Sequence, residues 1–274
     1  MHAFRSCFLL LLALLPLAAR AELMLNPTRV VMASNQRAAQ VELINNGSEA
    51  ATYRIGVVNR RMSETGEFIN IQTAGPGEQF AGDMLSYSPR QVTLQPGSAQ
   101  VVRIMVRRPD GLADGEYRSH LHFEKVANAA GASSVEGEKQ DSGQIGVVLT
   151  TLIGASIPVI VRQGQTQASV TLDRLKLQPG QDKGALLEFH IQRSGNSSVY
   201  GDVSVSYTPA GGAALTVAKA SGVAVYSPNP LRRASVSLQL PAGVQLGRGQ
   251  LHLAYRERPE AGGKLLAEAT LALP

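Results

Sequence analysis

The 274-residue chain has one cysteine and no tryptophan, and only 5% of its residues are aromatic. A single thiol excludes an internal disulfide framework and any zinc centre built on several thiolates. Helical periodicity is missing as well, because no segment keeps an apolar stripe at a 3.6-residue spacing for long. The motifs of several common chemistries are absent too. There is no Gly-x-Ser-x-Gly elbow, no phosphate-binding glycine loop and no His-Glu-x-x-His. Charge is sparse at 17%, and the basic residues occur as pairs, Arg60-Arg61, Arg107-Arg108 and Arg232-Arg233, with acids nearby. Nucleic-acid binding would want a concentrated basic stripe with interleaved aromatics, so no nucleic-acid partner is expected.

What is present points to many short elements. The chain carries 27 glycines and 14 prolines, and 44% of it is hydrophobic. This is a globular composition with frequent turns. Residues 1–21 are set apart. Arg5 supplies a positive start, Cys7 to Ala18 form an apolar run of about a dozen residues, and Ala19-Arg20-Ala21 is a small-x-small cleavage signal. The run is short for a bilayer span, which takes about twenty residues. The expectation is a cleaved secretory signal peptide, with no membrane insertion afterwards and a mature chain that starts at Glu22. Cleavage would remove Cys7, Arg5 and Arg20 but no acid, so the net charge would fall from +5 to +3.

The remainder alternates with period two, the signature of half-buried strands. Leu23 to Met32 reads as a first strand broken at Pro27. Strands follow at Gln40 to Ile44, around Tyr53, Ile55 and Val57, at Val101 to Val106 and at Tyr117 to Val126, with a turn at Leu94-Gln95-Pro96-Gly97. Residues 127–144 have the small, polar composition of a surface loop. An apolar strand from Ile145 to Val161 comes next, then a linker at 163–167. The second half offers seven strand candidates: Ser169–Leu172, Leu186–Ile191, Asp202–Tyr207, Gly222–Tyr226, Ala234–Leu240, Gln250–Tyr255 and Ala267–Leu273. The fold class expected is therefore all-β, as two tandem β-sandwiches covering 22–162 and 168–274.

Candidate chemistry is thin. His120 and His122 lie two apart on one strand and point to one face, which could supply half of a copper or zinc site. No third ligand has matching spacing, so they read as sheet-surface residues, and no metal or cofactor is expected. His190 and His252 fall on the polar phase of their strands and read as solvent-facing. The informative segment is Gln144 to Arg162. Ile145, Val147, Leu149, Thr151 and Ile153 form a nearly continuous apolar row, and Pro158 favours a sheet edge because proline cannot donate to a ladder. A long apolar edge invites pairing. Either the strand is buried within its own sheet, or it is lent to another protein, with main-chain bonds giving affinity and alternate side chains filling pockets.

Several segments together resemble the PapD-like periplasmic pilus-assembly chaperones. They are Leu25-Asn26-Pro27-Thr28-Arg29-Val30-Val31, Val41-Glu42-Leu43-Ile44-Asn45-Asn46, Ser88-Pro89 with Leu94-Gln95-Pro96-Gly97, Gln100-Val101-Val102-Arg103-Ile104, Tyr117 to Phe123, and Ile145 to Val161. They span most of residues 23–162. The second half resembles the family only in length, strand pattern and the Gly195-Asn196-Ser197-Ser198 region. The resemblance implies two immunoglobulin-like domains at an angle. It implies a periplasmic chaperone, not an enzyme, that caps pilus or fimbrial subunits by donor-strand complementation and delivers them to an outer-membrane usher. Ile145, Val147, Leu149, Thr151 and Ile153 then belong to the donated strand, and Arg29 is the cleft cation that holds the subunit's C-terminal carboxylate. The family's second cation, a lysine, falls at Pro158 here, and Arg162 is the nearest cation downstream. Two other classes compete: a secreted structural or adhesive immunoglobulin-like protein, and a metal-binding protein using His120 and His122.

Overall fold

The computed structural model describes residues 22–126, 154–180 and 184–274. The expected signal peptide and the row Ile145, Val147, Leu149, Thr151 and Ile153 lie outside the described residues. Among the described residues the regular elements are almost all strands. The first sandwich is built from β1 (Leu23–Asn26), β2 (Val30–Met32), β3 (Ala38–Asn45), β4 (Ala51–Met62), β5 (Phe68–Ile71), β6 (Leu85–Ser88), β7 (Gln91–Leu94), β8 (Ala99–Val106), β9 (Gly115–Val126) and β10 (Gly154–Gln163). One sheet runs β1-β3-β8-β6. The facing sheet runs β2-β10-β9-β4-β5, with β7 also paired to β4. Val41, Leu43, Tyr53, Ile55, Val102, Ile104, Leu121, Phe123, Val159 and Val161 fill the space between them.

The break at Pro27 has a topological meaning. Before it, β1 pairs antiparallel with β3 in one sheet. After it, β2 pairs parallel with β10 in the other. A residue without an N–H cannot continue the first ladder, and the chain crosses between sheets there.

The second sandwich contains β11 (Ala168–Pro179), β12 (Ala185–Gly195), β13 (Val199–Pro209), β14 (Leu215–Val225), β15 (Leu231–Leu238), β16 (Gly249–Glu257) and β17 (Leu265–Leu273). Its sheets run β11-β12-β15 and β14-β13-β16-β17. Leu187, Phe189, Ile191, Val203, Val205, Tyr207, Leu251, Leu253 and Tyr255 form its core. Residues 164–167 join the two bodies, and Gln163 still belongs to β10.

Two differences from the sequence pattern have physical causes. β5, β6 and β7 have only four residues each, too few to establish an alternation. β14 begins at Leu215, not Gly222, because register shifts between Gly201 and Val203 and between Val205 and Ser206 interrupt its period.

Candidate functional site

Alternation along β9 sends Tyr117, Leu121 and Phe123 into the first core. Glu116, Arg118, His120 and His122 therefore belong to the opposite face. On β10, which pairs with β9, Ile157, Val159 and Val161 point into the core, and Pro158 and Ile160 share the outer face. The second sandwich covers that face. Ile160 packs with Met62, Ala224 and Tyr226, with Tyr200 against the cluster.

At this junction five side chains from both sandwiches form a ladder of alternating cations and rings. The Arg118 guanidinium carbon lies 4.2 Å from the centre of the Tyr226 ring. Arg29 lies 5.1 Å from the same ring and 4.7 Å from Tyr200. Arg258 lies 5.8 Å from Tyr200. Each contact places a cation over a negative ring face. Arg29 also donates from Nη1 to the Tyr226 hydroxyl at 2.9 Å. Among the described residues no carboxylate lies within ion-pair distance of Arg29 or Arg118.

Arg29 opens into a cleft of about 760 Å³, lined also by Arg162, Tyr200, Arg258, Lys264 and Glu257. Arg258 is engaged with Glu260 at 2.7 Å. Arg162 is engaged as well, its Nε donating to Glu116 at 3.3 Å. That carboxylate is buried and also accepts hydrogen bonds from the Ser198 backbone N–H at 3.1 Å and from the Ser198 hydroxyl. Arg162, the cation nearest downstream of Pro158, thus has its charge committed to an interdomain network. Pro158 pairs opposite His120. Of the cleft cations with no acid partner, Arg29 has its guanidinium held in place by two rings, leaving most of its N–H fork for an anion.

His120 departs from its sequence-based assignment. It is not a surface residue but only 2% exposed, with Phe68 edge-on at 5.1 Å and both ring nitrogens without partners. Burial, and then the nearby charges of Arg118, Arg60 and Arg29, lower its pKa to about 3, so it is neutral. His122 is half-buried. Among the described residues no three His, Cys, Asp or Glu side chains come together as a metal group. His190 and His252 are likewise half-buried, and His252 lies 3.1 Å from Glu268. Arg118 and the two tyrosines were not singled out from the sequence. The alternation that puts Arg118 beside His120 on one face was readable, but the second sandwich above them was not.

No family model matches the chain and no curated protein matches it. Among solved structures it is similar to the YadV chaperone, with 12% identity and a TM-score of 0.46, over 92% of this chain and 100% of that one. It is similar to the CupB2 chaperone of Pseudomonas aeruginosa, with 12% identity and a TM-score of 0.43, over 92% and 100%. It is also similar to a chain of the Salmonella enterica SafA pilin–SafB chaperone complex, with 14% identity and a TM-score of 0.40, over 93% and 97%. No helix among the described residues is long and apolar enough to cross a membrane.

Proposed function

We propose that the protein is a periplasmic chaperone for pilus or fimbrial subunits. It would lend the strand that contains Ile145, Val147, Leu149, Thr151 and Ile153, hold the subunit's C-terminal carboxylate on Arg29, and pass the subunit to an outer-membrane usher. The observation that carries this reading is Arg29 itself. It is a cation without an acid partner among the described residues, clamped between Tyr200 and Tyr226 at the mouth of an interdomain cleft. Such a group suits an incoming carboxylate, whose two oxygens match the guanidinium fork.

The β10 edge supports the same reading. β2 covers it only from Val159 to Val161. Residues 154–158 pair with β9 on one side and, among the described residues, with no strand on the other. An edge left open just after the apolar row can continue a sheet begun with a partner strand. Pro158, at the end of the open stretch, limits how far such pairing extends.

Co-expression with a pilin-type subunit that has an incomplete sandwich tests the proposal. The expected result is a one-to-one complex, with the subunit degraded when this protein is missing. Leu149→Glu and Ile153→Glu are expected to abolish the complex while the chaperone keeps its circular dichroism spectrum. Arg29→Ala is expected to weaken binding about tenfold or more, the loss of a charged hydrogen-bond pair. Full subunit recovery with both strand variants rules out donation, and equal recovery when this protein is missing leaves a stand-alone structural or adhesive protein.

A further inference from the structure

Arg60 reaches past its neighbour in the sheet. It lies on β4, and β9 separates β4 from β10. Its Nη1 nevertheless donates to the Ser156 hydroxyl of β10 at 2.6 Å. The Nε donates to the Asn70 side-chain oxygen at 2.9 Å, and Asn70 is the direct partner of Arg60 across the β4–β5 hairpin. The Arg60 carbonyl accepts from Arg118 at 3.2 Å. Backbone and guanidinium are therefore both fixed. Among the described residues no acid lies within ion-pair distance of Arg60, and partial burial lowers its pKa. Drawing such a cation from water and holding it in one rotamer costs free energy. What the protein gains is a bridge from the hairpin, over β9, to one hydroxyl of β10.

That hydroxyl stands where β10 is least supported. β2 covers only Val159 to Val161, so among the described residues Ser156 and its neighbours pair with β9 alone. Pro158 removes an N–H from the same stretch. A strand end bonded on one side opens and slips more readily than one bonded on both. A slip of one residue would bring Ala155 or Ile157 to the guanidinium, and neither side chain carries an acceptor. It would also turn Ile157, 3% exposed in the first core, to the outer face. His122 borders the same spot. It pairs opposite Ser156, and its ring lies beside Gly154, where a Cβ would come within 2.7 Å of Cε1. Only one register therefore satisfies Arg60 and leaves room for His122.

We infer that Arg60 is a positioning residue for subunit capture. Through Ser156 it holds the open stretch of β10 against β9, in the register that a partner strand meets. This rests on the chaperone reading, but it concerns the strand and not the carboxylate cleft. The pin leaves the open edge free, because the Ser156 side chain stands off the sheet face while the edge presents main-chain groups in the sheet plane. Arg60 touches no part of the subunit. It acts by keeping the edge ordered beforehand, so that less ordering cost falls on the binding step.

The test compares Arg60→Met, Ser156→Ala, the double variant, and Ser156→Thr, which keeps the hydroxyl. Amide hydrogen exchange is read on the free protein, and affinity is read with a pilin-type subunit that has an incomplete sandwich. Arg60→Met and Ser156→Ala are each expected to speed exchange of the protected amides of residues 155–157 about tenfold, with β3 and β8 unchanged. Each is expected to weaken subunit binding about threefold or more. The double variant is expected to be no worse than Arg60→Met alone, and Ser156→Thr to behave as wild type. If exchange at 155–157 keeps its wild-type rate in both single variants, there is no pin and the inference fails. If exchange rises throughout the first sandwich, Arg60 is a packing residue and the inference fails. If exchange rises locally but the subunit binds as before, the pin does not serve capture, and the inference is overturned while the chaperone reading stands. If wild-type protein binds no subunit, the chaperone reading itself fails and the positioning role falls with it.

Discussion

A histidine two residues along from Arg118 shows how much a single buried ring can weigh. His120 has a folded-state pKa of about 3 against an ordinary 6.5, because burial and three arginines oppose its charge. Below pH 6.5 the unfolded chain binds a proton there and the folded chain does not, so folding stability falls as pH falls. The loss amounts to about 1.4 kcal/mol at pH 5.5. His120→Leu, of similar volume, forfeits the edge contact with Phe68, worth about 1 kcal/mol. In return it is expected to flatten the pH dependence between pH 7.5 and 5.5, measured by urea denaturation at both values. An unchanged slope would mean that the histidine is solvated. Spacing showed that His120 and His122 share a face, yet it marked that face as open surface, because nothing near them in the chain announces the cover supplied by Phe68 and the second sandwich.

Among the elements, the β4–β5 hairpin has the longest reach. Its turn closes through the Ser63 N–H to the Glu67 carbonyl at 2.8 Å and the Glu67 N–H to the Ser63 hydroxyl at 3.1 Å. Gly66 sits at φ +91°, and a Cβ there would come within 2.5 Å of Arg232. The hairpin docks on the second sandwich. Asn229 donates to the Met62 carbonyl at 2.7 Å, and the Arg233 N–H donates to the Glu64 carbonyl at 2.7 Å, capping the β15 edge. Asn229→Ala is expected to cost about 1–2 kcal/mol, because it leaves a carbonyl unpaired at the junction. Removing the exposed Arg233–Glu64 ion pair, 3.0 Å long, is expected to cost under about 1 kcal/mol. Denaturation midpoints of the two variants check this ordering. Pro228-Asn229-Pro230 is recognisable as a turn, but Met62 lies 167 residues away. The four-residue β5 gave no period to read. The long strands β3, β4, β8, β9 and β12 could be placed from alternation, since eight to twelve residues of one phase outweigh local noise.

For the molecule as a whole, Glu116 is the joint. Its side chain is 1% exposed and binds Ser198 of the second sandwich and Arg162 at the end of β10. Glu116→Ala leaves the Ser198 N–H unmet and Arg162 unpaired, and is expected to destabilise by about 2–4 kcal/mol. Small-angle scattering is expected to show a broader range of arrangements of the two sandwiches, and affinity for a carboxylate-ended subunit is expected to fall, since Tyr200 and Tyr226 no longer meet Arg29. Unchanged scattering would place the joint in the hairpin instead. The sequence alone determined the all-β class, the two arrays of short strands and the break at Pro27, because period-two alternation and proline chemistry are local properties of the backbone, whereas Arg29 became a candidate only through the resemblance to the chaperone family. Tertiary structure decided that Arg29 meets two tyrosines, that Arg162 is spent on Glu116, that His120 is buried and that Arg118 is left without a counter-ion. Alternation tells which way a side chain points. Whether it finds water, a ring or a charge depends on the strand opposite, and here that strand belongs to the other half of the chain.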